Sequence, residues 1–372
     1  MVGNPNVLIW EGPEYKWTAR DPPGCFMIRF GPSGIPLSCK GRTLRDGIED
    51  VHNLGLTAME VQLVRVNVLE RPAGDEEFGQ TPRQLPGELV VEVRRKEDKQ
   101  EVRIPDLDEQ IEPGDLLVSL TSGLARDYLE LEALGQIARE MDIELSLHTP
   151  YYMDLGGEDQ LAQKSMDSVM WGGLLADAMG ASVVATFLGL YGELEPKEAL
   201  KRIQAAVKTL RDVYRQRKLK AKLGLETSGR KEVVGSLDEI LSLCKAVRGT
   251  VPVLNFAHVH AREGGLLKRP EDFAAVLDRA EKATPEGHVH THFTGVEHEG
   301  GLELRYTPIK KGDLRFEPLA ECLLDNDYDL TLVSSSPLLE HDAMYMKVIL
   351  ERVLAKKMVK VPRLPLRKGE AR

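Results

Sequence analysis

An alternation of two sequence patterns constrains this chain more than any other feature. From Leu124 onward, short apolar runs alternate with longer stretches of helical periodicity. Residues 143–147, 182–187, 221–225, 251–256, 288–293 and 330–333 have the length and apolar continuity of buried strands. Between and after them, 160–179, 196–217, 236–247, 270–283, 317–326 and 340–355 read as helices. Parallel strands need crossover connections, and helices of this length supply them. Two further units precede these: 25–30 with helix 42–54, and 58–64 with helix 128–141. Eight βα units predict an α/β fold, a (β/α)8 TIM barrel running through residues 1–372 as one domain. A doubly wound open sheet is the competing arrangement, but the Gly-rich first turn of that fold is missing.

Residues 66–122 interrupt the second unit. Their first part, 70–86, is polar and rich in Pro and Gly. Residues 88–95 and 101–104 read as strands around the turn Glu97-Asp98-Lys99, and 116–120 as a third. The expectation is a small β-rich insertion on the catalytic face, because loops after barrel strands emerge there.

The formal net charge is −10, so no global attraction to a polyanion exists and a nucleic-acid role needs a local basic surface. The tail 356–372 carries seven basic side chains and one acid, and reads as a solvated tail or a phosphate-contacting arm. Cys25, Cys39, Cys244 and Cys322 are scattered without a Cys-x-x-Cys pair, which suggests a reducing, cytoplasmic setting. No apolar run approaches the roughly 18 residues of a membrane span, and no apolar leader is expected. Abundant Glu, Lys and Arg with few Asn and Gln suit a thermophile.

In such a barrel, chemistry sits at the C-terminal strand ends. Five of the nine histidines fall in Ala257-His258-Val259-His260 and His288-Val289-His290-Thr291-His292. His148, Glu226, His258 and His290 are the candidate metal ligands; a carboxylate with imidazoles suits zinc, manganese or iron. Glu226 and His290 are also the candidate catalytic groups. Arg29, Gln62, Tyr151, Asn255, His260, His292 and Ser335 are the candidate substrate contacts. A simpler arrangement is a salt bridge from Glu226 to Arg29 with no metal. His288, His290 and His292 share one strand face, so at least one of them is structural.

The stretches 29–42, 145–155, 223–227 and 332–347 resemble the endonuclease IV branch of the xylose-isomerase-like TIM barrels, its archaeal members above all. The resemblance spans the chain apart from the insertion and the termini. It implies a cluster of three metal ions that hydrolyses DNA 5′ to an abasic site. By position, Glu226 would bridge two ions, His148 and His290 would each hold one, and His258 would serve the third. Thr186 stands where the family has a histidine, Asn255 where it has an aspartate, and Ser335 where it has a glutamate. Leu304-Arg305-Tyr306 occupies the place of an Asp-x-His pair. So much lost carboxylate cannot offset three divalent ions. The expectation is fewer than three ions, Zn2+ or alternatively Mn2+, with an ion-free pocket as the limit. The expected function is a metal-dependent phosphodiester hydrolase acting on DNA with abasic sites. The alternatives are an isomerase or epimerase of a small sugar-like ligand, or a non-catalytic binding protein.

Overall fold

The computed structural model describes residues 8–11, 14–17, 27–64, 66–97, 100–104, 106–121 and 123–360. The readings made for Cys25, for the turn at Asp98-Lys99 and for the tail beyond Lys360 lie outside the described residues. Eight parallel strands form the barrel: β1 (Met27–Pro32), β2 (Ala58–Gln62), β3 (Glu144–His148), β4 (Val183–Thr186), β5 (Lys222–Glu226), β6 (Thr250–Asn255), β7 (Val289–Phe293) and β8 (Leu330–Ser334). Each pairs in register with its sequence neighbour from β2 to β8, and β8 returns to β1. The seam between β1 and β2 is sparse: a bridge of Ser33 to Glu60, and the Thr57 N–H donating to Phe30 O at 2.9 Å. Only glycine allows this approach, because a Cβ on Gly31 would stand 1.8 Å from the carbonyl oxygen of Ala58.

Helices α1 (Leu44–Asn53), α2 (Tyr128–Glu140), α3 (Gln160–Met179), α4 (Pro196–Gln216), α5 (Leu237–Ala246), α6 (Phe256–Arg262), α7 (Pro270–Ala283), α8 (Phe316–Asp325) and α9 (Glu340–Lys360) complete the units. Their ends follow local chemistry. Thr43 with Asp46, and Ser236 with Glu239, form capping boxes that satisfy the first amides of α1 and α5.

The apolar core lies between strands and helices. Met59, Val61, Leu145, Leu147, Val289 and Phe293 belong to it, packed with residues such as Phe256, Phe273 and Phe316. Strand alternation then turns Glu60, Ser146, His148, Glu226, His290 and His292 into the barrel interior, where all are buried. The centre of this barrel is therefore polar, and every charge in it needs a partner.

Three elements depart from the expectations. The insertion contributes a four-stranded sheet, because Val68–Pro72 pairs antiparallel with Leu116–Leu120 at one edge. That exposed edge strand was read as polar loop, since it buries too little to show a pattern. The sheet packs against the outer helices, with Tyr128 Oη donating to Val90 O at 3.0 Å and Arg103 paired to Asp167 at 2.9 Å. Strand six ends at Asn255, whose side chain caps α6 by accepting from the amides of Ala257 and His258. His258 and His260 thus sit on a short helix, not on a strand end. Finally, an unforeseen hairpin, Gly295–Glu299 with Leu302–Thr307, follows β7. No helix among the described residues is long and apolar enough to cross a membrane.

Candidate active site

The polar interior converges at the C-terminal ends of β2, β3, β5, β6 and β7. His292 is its hub. Its Nε2 lies 2.7 Å from Glu60 Oε2, and its Nδ1 lies 3.1 Å from Glu226 Oε1. His290, one pleat below, places Nε2 3.4 Å from the same Glu60 oxygen. His148 Nε2 approaches Glu226 Oε2 to 2.6 Å, while its Nδ1 donates to Thr149 O at 2.6 Å. Ser33 and Gln62 both donate to Glu60 Oε1, at 2.9 and 2.8 Å.

Electrostatics follow from this packing. Burial alone would weaken His292 as a base, but Glu60 and Glu226 outweigh it and raise its pKa to about 10. Burial would likewise raise Glu60 and Glu226, but His292, His148 and, for Glu60, His290 hold both carboxyls well below the ordinary range. His290 goes the other way: burial lowers its pKa more than Glu60 restores it.

A second polar group adjoins the first. His258 donates Nδ1–H to Thr227 O at 2.5 Å, so Nε2 faces the cavity, where the Tyr306 hydroxyl donates to it. Asn255 Nδ2 donates to Glu226 Oε1 at 3.1 Å and to Tyr306 Oη at 2.9 Å, joining the two groups. Glu303 from the hairpin reaches 3.2 Å from His258 Nε2. Tyr151 stacks on His148 with ring centres 5.3 Å apart, and Phe187 packs edge-on to His148 at 5.2 Å.

The donor set fits a divalent cation. Ligand atoms of Glu60, His290 and His292 all lie within 4.8 Å of one another in a buried setting. With an ion there, Glu226 would be the outer carboxylate that orients the His292 imidazole. His290 Nδ1 has no hydrogen-bond partner among the described residues. His260, His298 and Asp313 form another close trio. There, however, the Leu267 N–H donates to His260 Nδ1 at 3.1 Å, which leaves the proton on Nε2, 3.2 Å from Asp313 Oδ1, so that nitrogen offers no lone pair to a metal.

Of the residues singled out from sequence, the fold gathers His148, Glu226, His258, His290, His292, Asn255, Gln62 and Tyr151. It does not bring Arg29 there. Arg29 points to the opposite barrel mouth, pairing with Asp142 at 3.0 Å and Glu144 at 3.7 Å, because Gly31 and Ser33 lie between it and the catalytic end. The salt bridge from Arg29 to Glu226 is therefore replaced by imidazoles. His260 turns outward to Asp313, and Ser335 contributes its amide to Phe293 O at 3.2 Å. Sequence reasoning missed Glu60, Glu303 and the hydroxyl of Tyr306. The signal for Glu60 was present: it shares a face with Gln62 in the otherwise apolar Ala58-Met59-Glu60-Val61. Tyr306 carried one through the resemblance, because Leu304-Arg305-Tyr306 occupies the place of an Asp-x-His pair, whereas Glu303 carried none, since the hairpin was not foreseen.

Comparison with known proteins follows the same lines. The family described as a xylose isomerase-like TIM barrel matches residues 111–337. An uncharacterized protein of Methanocaldococcus jannaschii is 26% identical over 209 residues, covering 55% of this chain and 76% of its own. Endonuclease IV from Thermus thermophilus superposes with a TM-score of 0.54 at 18% identity, over 87% of this chain and 99% of that one. A D-tagatose 3-epimerase-like protein gives 0.55 at 16% identity, over 90% and 99%. An L-ribulose 3-epimerase gives 0.55 at 13%, over 91% and 100%. At these identities the superpositions establish the fold and do not separate a nuclease from an epimerase.

Proposed function

The chain belongs to the xylose isomerase-like TIM barrel family, and on that premise we propose that it is a metal-dependent isomerase or epimerase of a small polyhydroxylated carbonyl compound. The charge balance carries this reading. Glu60, Glu226 and Glu303 face one cavity, and among the described residues no lysine or arginine pairs with them. One divalent cation offsets two of these carboxylates and the imidazolium of His148 on Glu226 offsets the third, so the site holds no surplus positive charge to draw in a phosphodiester and suits a neutral sugar. Glu60, His290 and His292 would hold the ion, and Glu226 would fix His292. When bound there, such an ion supplies polarisation of a substrate oxygen. The His148–Glu226 pair, 2.6 Å apart, is placed to carry the proton, with the Thr149 carbonyl holding the imidazole in orientation. Gln62 Oε1, which has no hydrogen-bond partner among the described residues, is free to accept from a substrate hydroxyl, and Tyr151 closes the wall behind His148.

The hydrolase reading, with abasic DNA as substrate, draws on one specific observation. His148 presents Nε2 to Glu226 while its Nδ1–H is committed to Thr149. A second ion between them would reverse the charge of the cavity and favour phosphate. Elemental analysis of the purified protein, run beside two assays, separates the readings. One equivalent of metal, with solvent deuterium entering ketoses or aldoses and no nicking of an abasic oligonucleotide, supports the sugar reading. Two equivalents with nicking sinks it.

A further inference from the structure

Glu303 is a cavity carboxylate whose partner the fold leaves open. It comes from Leu302–Thr307, the second strand of the hairpin that follows β7, and its backbone amide donates to Gly229 O at 3.1 Å. The side chain then folds back over Gly229, where a Cβ would stand 2.2 Å from Glu303 Oε2. That glycine cradles the carboxylate. The side chain is only 13% exposed, and Oε2 has no hydrogen-bond partner among the described residues. His258 Nε2 lies 3.2 Å from Oε2 and already accepts the Tyr306 hydroxyl. An unpaired carboxylate oxygen beside an imidazole that already accepts a proton is a place for an N–H or O–H donor, and a charged donor binds there most strongly. A chain of aromatic rings runs outward from His258, the imidazole that Glu303 faces. His258 and Tyr306 ring centres are 5.7 Å apart, Phe187 stands 5.7 Å from His258, and Tyr151 stands 6.2 Å from Phe187.

We propose that Glu303, framed by Tyr306, His258 and Phe187, recognises a protonated amine on the substrate, making the ligand class an amino sugar rather than a neutral one. This rests on the sugar reading of the same site. The carboxylate supplies the counter-charge, and the ring faces add cation–π attraction for a desolvated ammonium.

The test uses the full chain with its purified metal content. Thermal unfolding and calorimetric titration are run with glucosamine, galactosamine and mannosamine, and with their neutral parents glucose, galactose and mannose. The proteins are wild type, Glu303→Gln and the exposed hairpin control Glu297→Gln. At least one amino sugar is expected to bind wild type and the control tenfold or more tighter than its parent, with that margin lost in Glu303→Gln. Equal binding of amino sugars and parents by wild type overturns the amine while leaving the sugar reading intact. Binding of none of the six sugars overturns both. Loss of one equivalent of bound metal in Glu303→Gln makes the partner an ion and overturns the proposal as well.

Discussion

Glu60 and His292 are 232 residues apart in the chain, yet His292 Nε2 lies 2.7 Å from Glu60 Oε2 in a fully buried pair. The opposite nitrogen of the same ring faces Glu226 at 3.1 Å. One imidazole thus ties β2 to β5 across the barrel interior, and several consequences are open to measurement.

Glu60→Gln is expected to abolish tight divalent-cation binding, because the only carboxylate in the closest donor trio is lost. Glu226→Gln, which acts through His292, should weaken binding by roughly 10–100-fold. Calorimetric titration of chelator-treated protein with Mn2+ and Zn2+ reads both. Equal affinity in wild type and Glu60→Gln would place the ion elsewhere.

Without metal, Glu60→Ala leaves His292 charged and half-partnered in the interior. Breaking a buried pair from one side costs about 3–5 kcal/mol. Chemical unfolding of the metal-free proteins should show a loss of that size, and a loss below about 1 kcal/mol would mean that the pair is not formed.

Asn255→Asp puts a carboxylate 3.1 Å from Glu226 Oε1, where an amide now donates. Like charges at that distance should destabilise the metal-free protein by about 1–3 kcal/mol. Added Mn2+ should restore the melting temperature and raise the number of bound ions. A variant that melts like wild type with and without Mn2+ contradicts this.

Gly31→Ala tests the barrel seam. Its Cβ would meet the Ala58 carbonyl at 1.8 Å, so strands β1 and β2 must part. The expected cost is roughly 3 kcal/mol, the upper range for overpacking, read as a lower melting temperature with the metal site still loaded.

Glu239 gives a pH signature away from the site. Burial raises its pKa, but hydrogen bonds from Tyr191 and from Ser236 outweigh this and hold it below 4.5. A depressed carboxyl stabilises the fold above its unfolded value and loses that contribution as pH falls through the folded value. The wild-type advantage over Glu239→Gln, about 1 kcal/mol for a capping box, should therefore be full above pH 5 and shrink toward pH 3. A constant difference across that range would show that the carboxylate charge does not matter there.

The barrel was legible because each unit states its own periodicity. Gln160–Met179 and Pro270–Ala283 are read from sequence to the residue, since a helix buries one stripe along its whole length. His148, Glu226 and His292 were legible for a related reason: a polar residue closing an apolar strand must find a partner inside. Arg29 followed the same logic and came out at the wrong mouth. Alternation gives the face of a strand, but not how far along the barrel axis a residue sits, which the stagger between strands sets.

What the sequence by itself determined is the set of local decisions: eight strands, their helices, and which side chains turn inward. Only the tertiary structure decided who meets whom. Glu60 reaches His292 because the β1–β2 seam closes at Gly31 and brings the second strand beside the first. Glu303 reaches His258 because the hairpin after β7 folds back over Gly229. Both contacts join residues distant in sequence, the first through a backbone approach that only glycine permits and the second through a carboxylate laid over a glycine, and no local pattern carries that information.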